Sequence, residues 1–579
     1  MKNNKQHKNA NILVYLLVLS VLASGGAFLV NELVLMALSS MILGDGLTAT
    51  STTIMYMLVG TAIGGALGVI IKNSYLIEKF LALEIILAIS GAFMPLVLYF
   101  VFAYSPLNFN IYLYAVIMLI GFFIGFEVPL LLRLIQRYKN QLEKTLSLLY
   151  FAEYLGSAIG VYIWVNYLLF SFLLIEIGFL VAITNLTLAF ITYSWYRINQ
   201  KEFTLIQREI EIIRLDEEIK INKIKGISSL SLKDDLINLR NNKKTDKKIN
   251  IWIIILAYIS IISILVVGFN QAENLGFRAE QKLFRDKIIL SKQTEYQKIV
   301  ITENIKKGCK EMYINNSLQF NSCDEVIYHE SLIAPILSSV KDPKNALIIG
   351  GGDGIVAKNL RKLNQKIKIT QIDLDKGMIE LARNNDILRG LNSAIYDDIN
   401  YIDIKGIKSF EKPKSSTVDV IIIDVSIFLN SLKGIGNWDL IIVDLPDPRT
   451  TELSKLYTNY FYSKLSQRLS DKGVMVIQST SPFYLNGVYN IIGNTLKDSF
   501  NYVVPYHVNV PSFGEWGFYM ASNKPIKITE FHDNYDYMTE DFMKSLFIFP
   551  KDIFKETRVN SLLNPIIVKE YSKEMEKLY

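Results

Sequence analysis

The chain has 579 residues, 51% of them hydrophobic, with 61 basic against 55 acidic side chains. A net charge of +6 without an arginine-rich stripe argues against a nucleic-acid partner. The only cysteines, Cys309 and Cys323, have no metal-ligand spacing and are too few for a disulfide framework, so a reducing compartment is expected for them.

In chain order the first half is the apolar one. Seven runs, near 11–36, 52–71, 80–103, 110–132, 146–169, 171–195 and 250–269, approach or exceed the roughly 20 residues a helix needs to cross a bilayer. Lys2, Lys5 and Lys8 before the first run also suit a signal peptide, but the apolar run continues past "ASGGA" and further spans follow. The division is six spans in 1–196, a charged amphipathic connector at 197–249, and a seventh apolar segment at 250–270. In the connector Phe203, Ile206, Ile210 and Ile213 fall at helical spacing. Glu32, Glu127 and Glu153 lie inside apolar runs, where a carboxylate faces either a partner helix or a cation site. Loop lysines and arginines put the N terminus and 197–249 on the inside, and a seventh crossing then puts 271–579 outside.

The second half alternates apolar and charged stretches. A small β-rich part spans 271–342, a Rossmann-like part 343–525, and a tail 526–579. "ALIIGGGDGIVAKNL" reads as strand, glycine turn and helix, with Gly350, Gly352 and Asp353 in the turn. "KIKITQIDLD" places Asp373 about 20 residues later, where an acidic side chain holds ribose hydroxyls in such sheets. A third apolar stretch leads to Asp397 and Asp398, and "WDLIIVDLPDP" ends a fourth in Asp444 and Asp447. The similar "VDVIIID" at 418–424 is taken as an insertion or an extra strand. Several carboxylates around one turn repel phosphates and the carboxylate of ordinary S-adenosylmethionine, and favour a cationic nucleoside or an amine.

The ordered set "TEYQKIVIT", "SLQFNSCDEVIYHESL", "LIIGGGDG", "WDLIIVDLPDP", "LYTNYFY" and "VIQSTSPF" resembles the polyamine aminopropyltransferases, or spermidine synthases. "GFEVPLLLR", "FAEYLGS", "YHVNVPSFGEWGFYMAS" and "LFIFPKDI" resemble the membrane-embedded branch of that family. The resemblance implies a multi-span α-helical membrane domain, a small β-rich subdomain and an α/β Rossmann-like, methyltransferase-type domain. It implies transfer of an aminopropyl group from decarboxylated S-adenosylmethionine, as co-substrate, to putrescine or a related amine. No cofactor and no metal are expected, because the sulfonium is already a leaving group.

By motif, Gln297 and Asp373 would contact the ribose, Asp398 the adenine, and Asp353 the aminopropyl ammonium, with Gly350 and Gly352 in the donor turn. Asp444, Gln478, Tyr328 and His329 would line the amine pocket, and Asp447 would be the base. The family's tyrosine ahead of Pro-Ser is Val510 here, so the acceptor is the less defined end. Expected partners are the two small molecules and the lipid bilayer; homo-oligomerisation is left open. Alternatives are a methyltransferase of the same fold and a membrane polyamine sensor or transporter. Because the donor is cytosolic, the catalytic domain is expected in the cytoplasm, with one of the seven segments not fully crossing; 146–195 and 250–269 are the places considered.

Overall fold

The computed structural model describes residues 2–43, 46–72, 74–136, 142–205, 251–402, 417–431, 437–528 and 534–578, with isolated positions 212, 215, 219, 222 and 531. The chain divides into two compact units, Met1–Leu283 and Phe284–Tyr579. Most of the amphipathic connector lies outside the described residues.

Among its described residues the first unit is helical, without strands: α1 (Lys2–Leu43), α2 (Gly46–Leu67), α3 (Leu76–Tyr104), α4 (Phe109–Gln136), α5 (Leu142–Ile163), α6 (Leu174–Ile198) and α7 (Ile251–Leu283). Each has an apolar stretch of 22 to 32 residues, long enough to cross a membrane by length and composition. No segment is too short, including α5 with the wider turn that follows it, and α6. Helix α7 continues to Leu283, so residues 271–283 are helical and do not begin the β-rich part. Leucine, isoleucine and valine give the helices apolar faces all round, and many large apolar side chains remain exposed at their periphery.

The second unit opens with a four-stranded antiparallel meander: β1 (Lys287–Gln293), β2 (Lys298–Glu303), β3 (Lys310–Ile314) and β4 (Ser317–Asn321). Cys309 and Cys323, at the two open ends of the β3–β4 hairpin, form a disulfide. This corrects the expectation of reduced thiols: the hairpin register brings together two residues that are 14 apart in the chain.

The main sheet has eight strands: β5 (Asn345–Gly350), β6 (Lys368–Asp373), β7 (Ile399–Tyr401), β8 (Val418–Ile422), β9 (Trp438–Asp444), β10 (Leu469–Gln478), β11 (Tyr502–Val510) and β12 (Gly514–Ser522). Their spatial order is β11-β12-β10-β9-β5-β6-β8-β7, with only β12 and β11 antiparallel to their neighbours. "VDVIIID" is thus an integral parallel strand beside β6, and the stretch after Asp398 is only a three-residue edge strand. Both sheet faces are covered: Ile348 and Ile442 pack into one core, and Leu347, Ile349, Ile441 and Val443 into the other. Strand order reverses at β5, whose sequence neighbour β6 lies on one side and β9 on the other. A crevice opens at the carboxyl ends of strands at such a point. Residues 534–578 belong to the same unit: Glu330 accepts backbone N–H groups of Asp536, Tyr537 and Met538.

Candidate active site

The crevice is built from strand ends. Gly350 and Asp444 are register partners where β5 and β9 finish, and Gly351 N–H donates to the Asp444 carbonyl at 3.1 Å. Gly350 has φ +82°, and a Cβ there would lie 2.1 Å from that same oxygen, so only glycine fits. At Gly352 a Cβ would meet Asp373 Oδ2 at 2.7 Å, which lets the turn lie directly over the end of β6. Asp353 Oδ1 accepts from Ile355 N–H at 2.8 Å, a local turn contact one residue ahead of Gly354, the N-cap of the helix Ile355–Leu363.

Charge accumulates there. Burial pushes Asp353 up to about 6; His329 opposes this and Asp444 adds to it. Burial pushes Asp373 up to about 7, with Asp375 and Asp353 reinforcing the shift. Asp447 is raised by burial to about 6 although Gln478, Arg449, Thr480 and Tyr571 favour its charged form, and its Oδ1 is buried without a hydrogen-bond partner. Asp444 is raised by burial, with His329 and Tyr328 opposing. Four half-buried carboxylates that resist ionising together form a site for positive charge.

The side of the crevice that carries Asp444 and Asp447 is hydrogen-bonded in detail. Tyr328 Oη, on the helix Glu325–Leu337, donates to Asp444 Oδ1 at 2.7 Å. His329 Nδ1 lies 2.8 Å from Glu325 Oε2; burial lowers its affinity for a proton, but Glu325, Asp353 and Asp444 outweigh that and the net shift is upward. Gln478 Nε2 donates to Tyr457 Oη at 3.0 Å and also to the Leu445 carbonyl, and Tyr457 Oη donates to Pro446 O at 2.9 Å. These contacts fix the "DLPDP" turn on which Asp447 sits. Asp324 accepts from both N–H and Oγ of Ser512, tying the Val510-Pro511-Ser512 turn to the start of the same helix.

Gln297 Nε2 donates to Asp375 Oδ2 at 2.8 Å, and Asp375 N–H donates to Asp373 Oδ1 at 2.8 Å, so Gln297 and Asp373 share one border of the crevice. Asp398 does not join them. It is exposed beside the edge strand β7, and Asp424, just beyond β8, occupies the equivalent strand-end position next to β6. Ile423 N–H donates to the Asp373 carbonyl at 3.0 Å, and Tyr296 feels the charges of both Asp375 and Asp424. Asp424 itself is ion-paired with Lys455. The missed signal was the strand "VDVIIID" itself, which ends in an aspartate as β6 and β9 do. Tyr571, in the C-terminal helix Ile566–Met575, was missed as well; its approach to Asp447 depends on folding of the tail and has no local motif.

Residues 325–533 match the spermine/spermidine synthase domain. The chain is 31% identical over 557 residues to the polyamine aminopropyltransferase of Oceanobacillus iheyensis, covering 95% of each chain. It is 29% identical over 567 residues to that of Leptospira interrogans, covering 97% of this chain and 99% of the relative. A solved spermidine synthase in complex with the transition-state analogue AdoDATO covers 46% of this chain and 86% of its own, at 24% identity and a TM-score of 0.39.

Proposed function

From the premise that the chain belongs to the polyamine aminopropyltransferases and is an aminopropyl-transferring enzyme, we propose that its donor is decarboxylated S-adenosylmethionine and its acceptor putrescine or a similar diamine. The observation that carries this reading is the set of half-buried carboxylates at one switch point, Asp353, Asp373, Asp444 and Asp447, all held above the usual carboxylate range. Such a pocket repels a donor carboxylate and attracts both a donor ammonium and an acceptor ammonium.

Gln297 and Asp373 hold the ribose, Asp353 the aminopropyl ammonium, and Asp424 replaces Asp398 as the acid on the adenine side. Asp444, set by Tyr328, holds the acceptor amine, with His329 and Gln478 behind it. An amine of pKa near 10 is mostly protonated at neutral pH. Asp447 accepts its proton and aims the lone pair at the carbon next to sulfur. The C–N bond forms as the C–S bond breaks, its electron pair stays on sulfur, and methylthioadenosine leaves as a neutral thioether. The sulfonium needs no metal to depart.

The helical unit is read as membrane-embedded, on the length and composition of its seven helices. The cytoplasmic expectation for the transferase unit rested on the donor's origin and on reduced thiols. The Cys309–Cys323 bond removes the second support, and the odd number of such helices among the described residues favours the face opposite the N terminus. Purified full-length protein, given decarboxylated S-adenosylmethionine and a panel of amines, should yield methylthioadenosine and an amine heavier by one aminopropyl group in equal amounts. Methylated amine, formed only with ordinary S-adenosylmethionine, would replace this reading by the methyltransferase one.

A further inference from the structure

Beside the crevice carboxylates runs a line of three charged side chains, Lys358, Glu325 and His329. Glu325 opens the helix Glu325–Leu337, and His329 follows one turn later on the same face. Lys358 comes from the helix Ile355–Leu363, which begins just after the glycine turn. Its Nζ donates to Glu325 Oε1 and to the Leu391 carbonyl, each at 3.1 Å. The adjacent Asn392 Nδ2 donates to the Asp353 carbonyl at 2.9 Å, so the lysine is also tied to the backbone of that turn.

Geometry fixes the imidazole. His329 Nδ1 lies 2.8 Å from the backbone carbonyl of Glu325 and 2.8 Å from Glu325 Oε2. A carbonyl and an ionised carboxylate only accept, so Nδ1 carries a proton and Nε2 is left to the crevice. The two side chains are only 3% and 12% exposed, so their attraction is little screened. Burial alone would raise Glu325, but His329 and Lys358 outweigh it and hold the carboxyl down at about 2. Asp353, in the turn, and Asp444, ending β9, are the further charges that favour a protonated ring. The other elements packed on this helix bring neutral groups. Strand β10 ends in Gln478, Tyr506 of β11 donates to the Ser331 carbonyl, and the short helix Glu540–Ser545 meets Ser338 through Met543. An imidazolium here offsets part of the repulsion among carboxylates that must be ionised before either ammonium arrives.

We propose that Glu325 is a positioning residue for aminopropyl transfer. Braced by Lys358, it fixes the His329 ring and keeps it cationic beside Asp353 and Asp444, so both carboxylates are ionised when the substrates enter. The role in transfer rests on the proposed function of those two aspartates; the state of the ring does not.

The test uses the full chain in lipid nanodiscs, with histidine labelled in carbon-13 and nitrogen-15 for magnetic resonance. The chain has four histidines, and His329→Gln identifies the signal. In the native protein the ring should stay protonated above the ordinary histidine value near 6.5, and should keep its proton on Nδ1 once neutral. Glu325→Gln, which keeps the shape and removes the charge, should lower that midpoint by about one to three pH units. His329 holds Asp353 down more strongly than Glu325 pushes it up, so losing the imidazolium raises Asp353 on balance. The variant's kcat/KM should therefore fall about ten-fold near pH 6 and rejoin the native curve at alkaline pH, where both rings are neutral. A loss equal at every pH would make Glu325 merely structural and overturn the proposal. A native midpoint at or below 6.5, or a neutral ring protonated on Nε2, would overturn it too. If Glu325→Gln does not fold, these two native measurements decide. A native protein that transfers to no amine would instead end the transferase reading, with the ring measurement unaffected.

Discussion

Tyr328 and Asp444 are 116 residues apart, yet their side chains meet at 2.7 Å, the tyrosine hydroxyl donating to the carboxylate. The bond joins the helix after the β-meander to the end of β9, which under the proposed function ties an acceptor wall to the turn carrying Asp447. Burial raises the Tyr328 hydroxyl well above its ordinary range, and Asp444, Tyr457 and Asp447 raise it further, so it remains a donor at any working pH. Tyr328→Phe should leave methylthioadenosine affinity unchanged and raise KM for the acceptor by about ten-fold, as expected for one hydrogen bond to a charged group. Steady-state kinetics with each substrate varied in turn would show this; a change confined to the donor KM would place Tyr328 on the wrong wall.

Asp447→Asn should reduce kcat by roughly two to four orders of magnitude, the usual cost of losing a general base, with nucleoside binding retained. Wild-type turnover in that variant would assign the proton to another group. The same residue sets an acid limit. With Asp353 and Asp447 pushed up to about 6 and Asp373 to about 7, acidification through 7 to 5 protonates the base and discharges the donor site, so kcat/KM should fall on that limb.

The stability of the ligand-free protein should move the opposite way. Between the ordinary aspartate value near 4 and these raised values, the folded state binds more protons than the unfolded state, so stability decreases as pH rises across that window. Thermal melts at pH 5 and 7 that show no loss at the higher pH would contradict the burial of these carboxylates.

Asp424 and Asp398 give a paired test of the adenine side. Asp424→Asn should weaken methylthioadenosine binding by about ten-fold or more if a charge-assisted contact is lost, whereas Asp398→Asn, an exposed change, should be nearly silent. Calorimetry with both variants that gave the reverse order would return the role to Asp398.

Much of the crevice was legible because β-strands announce themselves locally. "LIIGGGDG" and "WDLIIVDLPDP" carry apolar runs that stop in glycine or aspartate, and parallel register aligns such endings. Asp398 lies exposed beside β7 while Asp424 follows the strand paired with β6; two apolar stretches competed for that strand position, and choosing between them depends on a pairing distant in sequence. Tyr571 lies more than 120 residues beyond Asp447, and no local pattern in its helix points to that neighbour.

The disulfide yields a prediction about compartment. In intact cells, a membrane-impermeant alkylating reagent should label Cys309 and Cys323 after mild reduction and leave them unlabelled without it. Labelling only after lysis, with no prior reduction needed, would restore the cytoplasmic placement and show the thiols free.

The central claim is that carboxylates around the glycine turn select a donor lacking its own carboxylate. Calorimetric affinities of decarboxylated and ordinary S-adenosylmethionine, for the native protein and for Asp353→Asn, test it most directly. The native protein should strongly prefer the decarboxylated donor, and Asp353→Asn should narrow that preference by roughly 1–3 kcal/mol, the worth of one charge-assisted hydrogen bond. Equal affinity of the native protein for the two nucleosides would contradict the account.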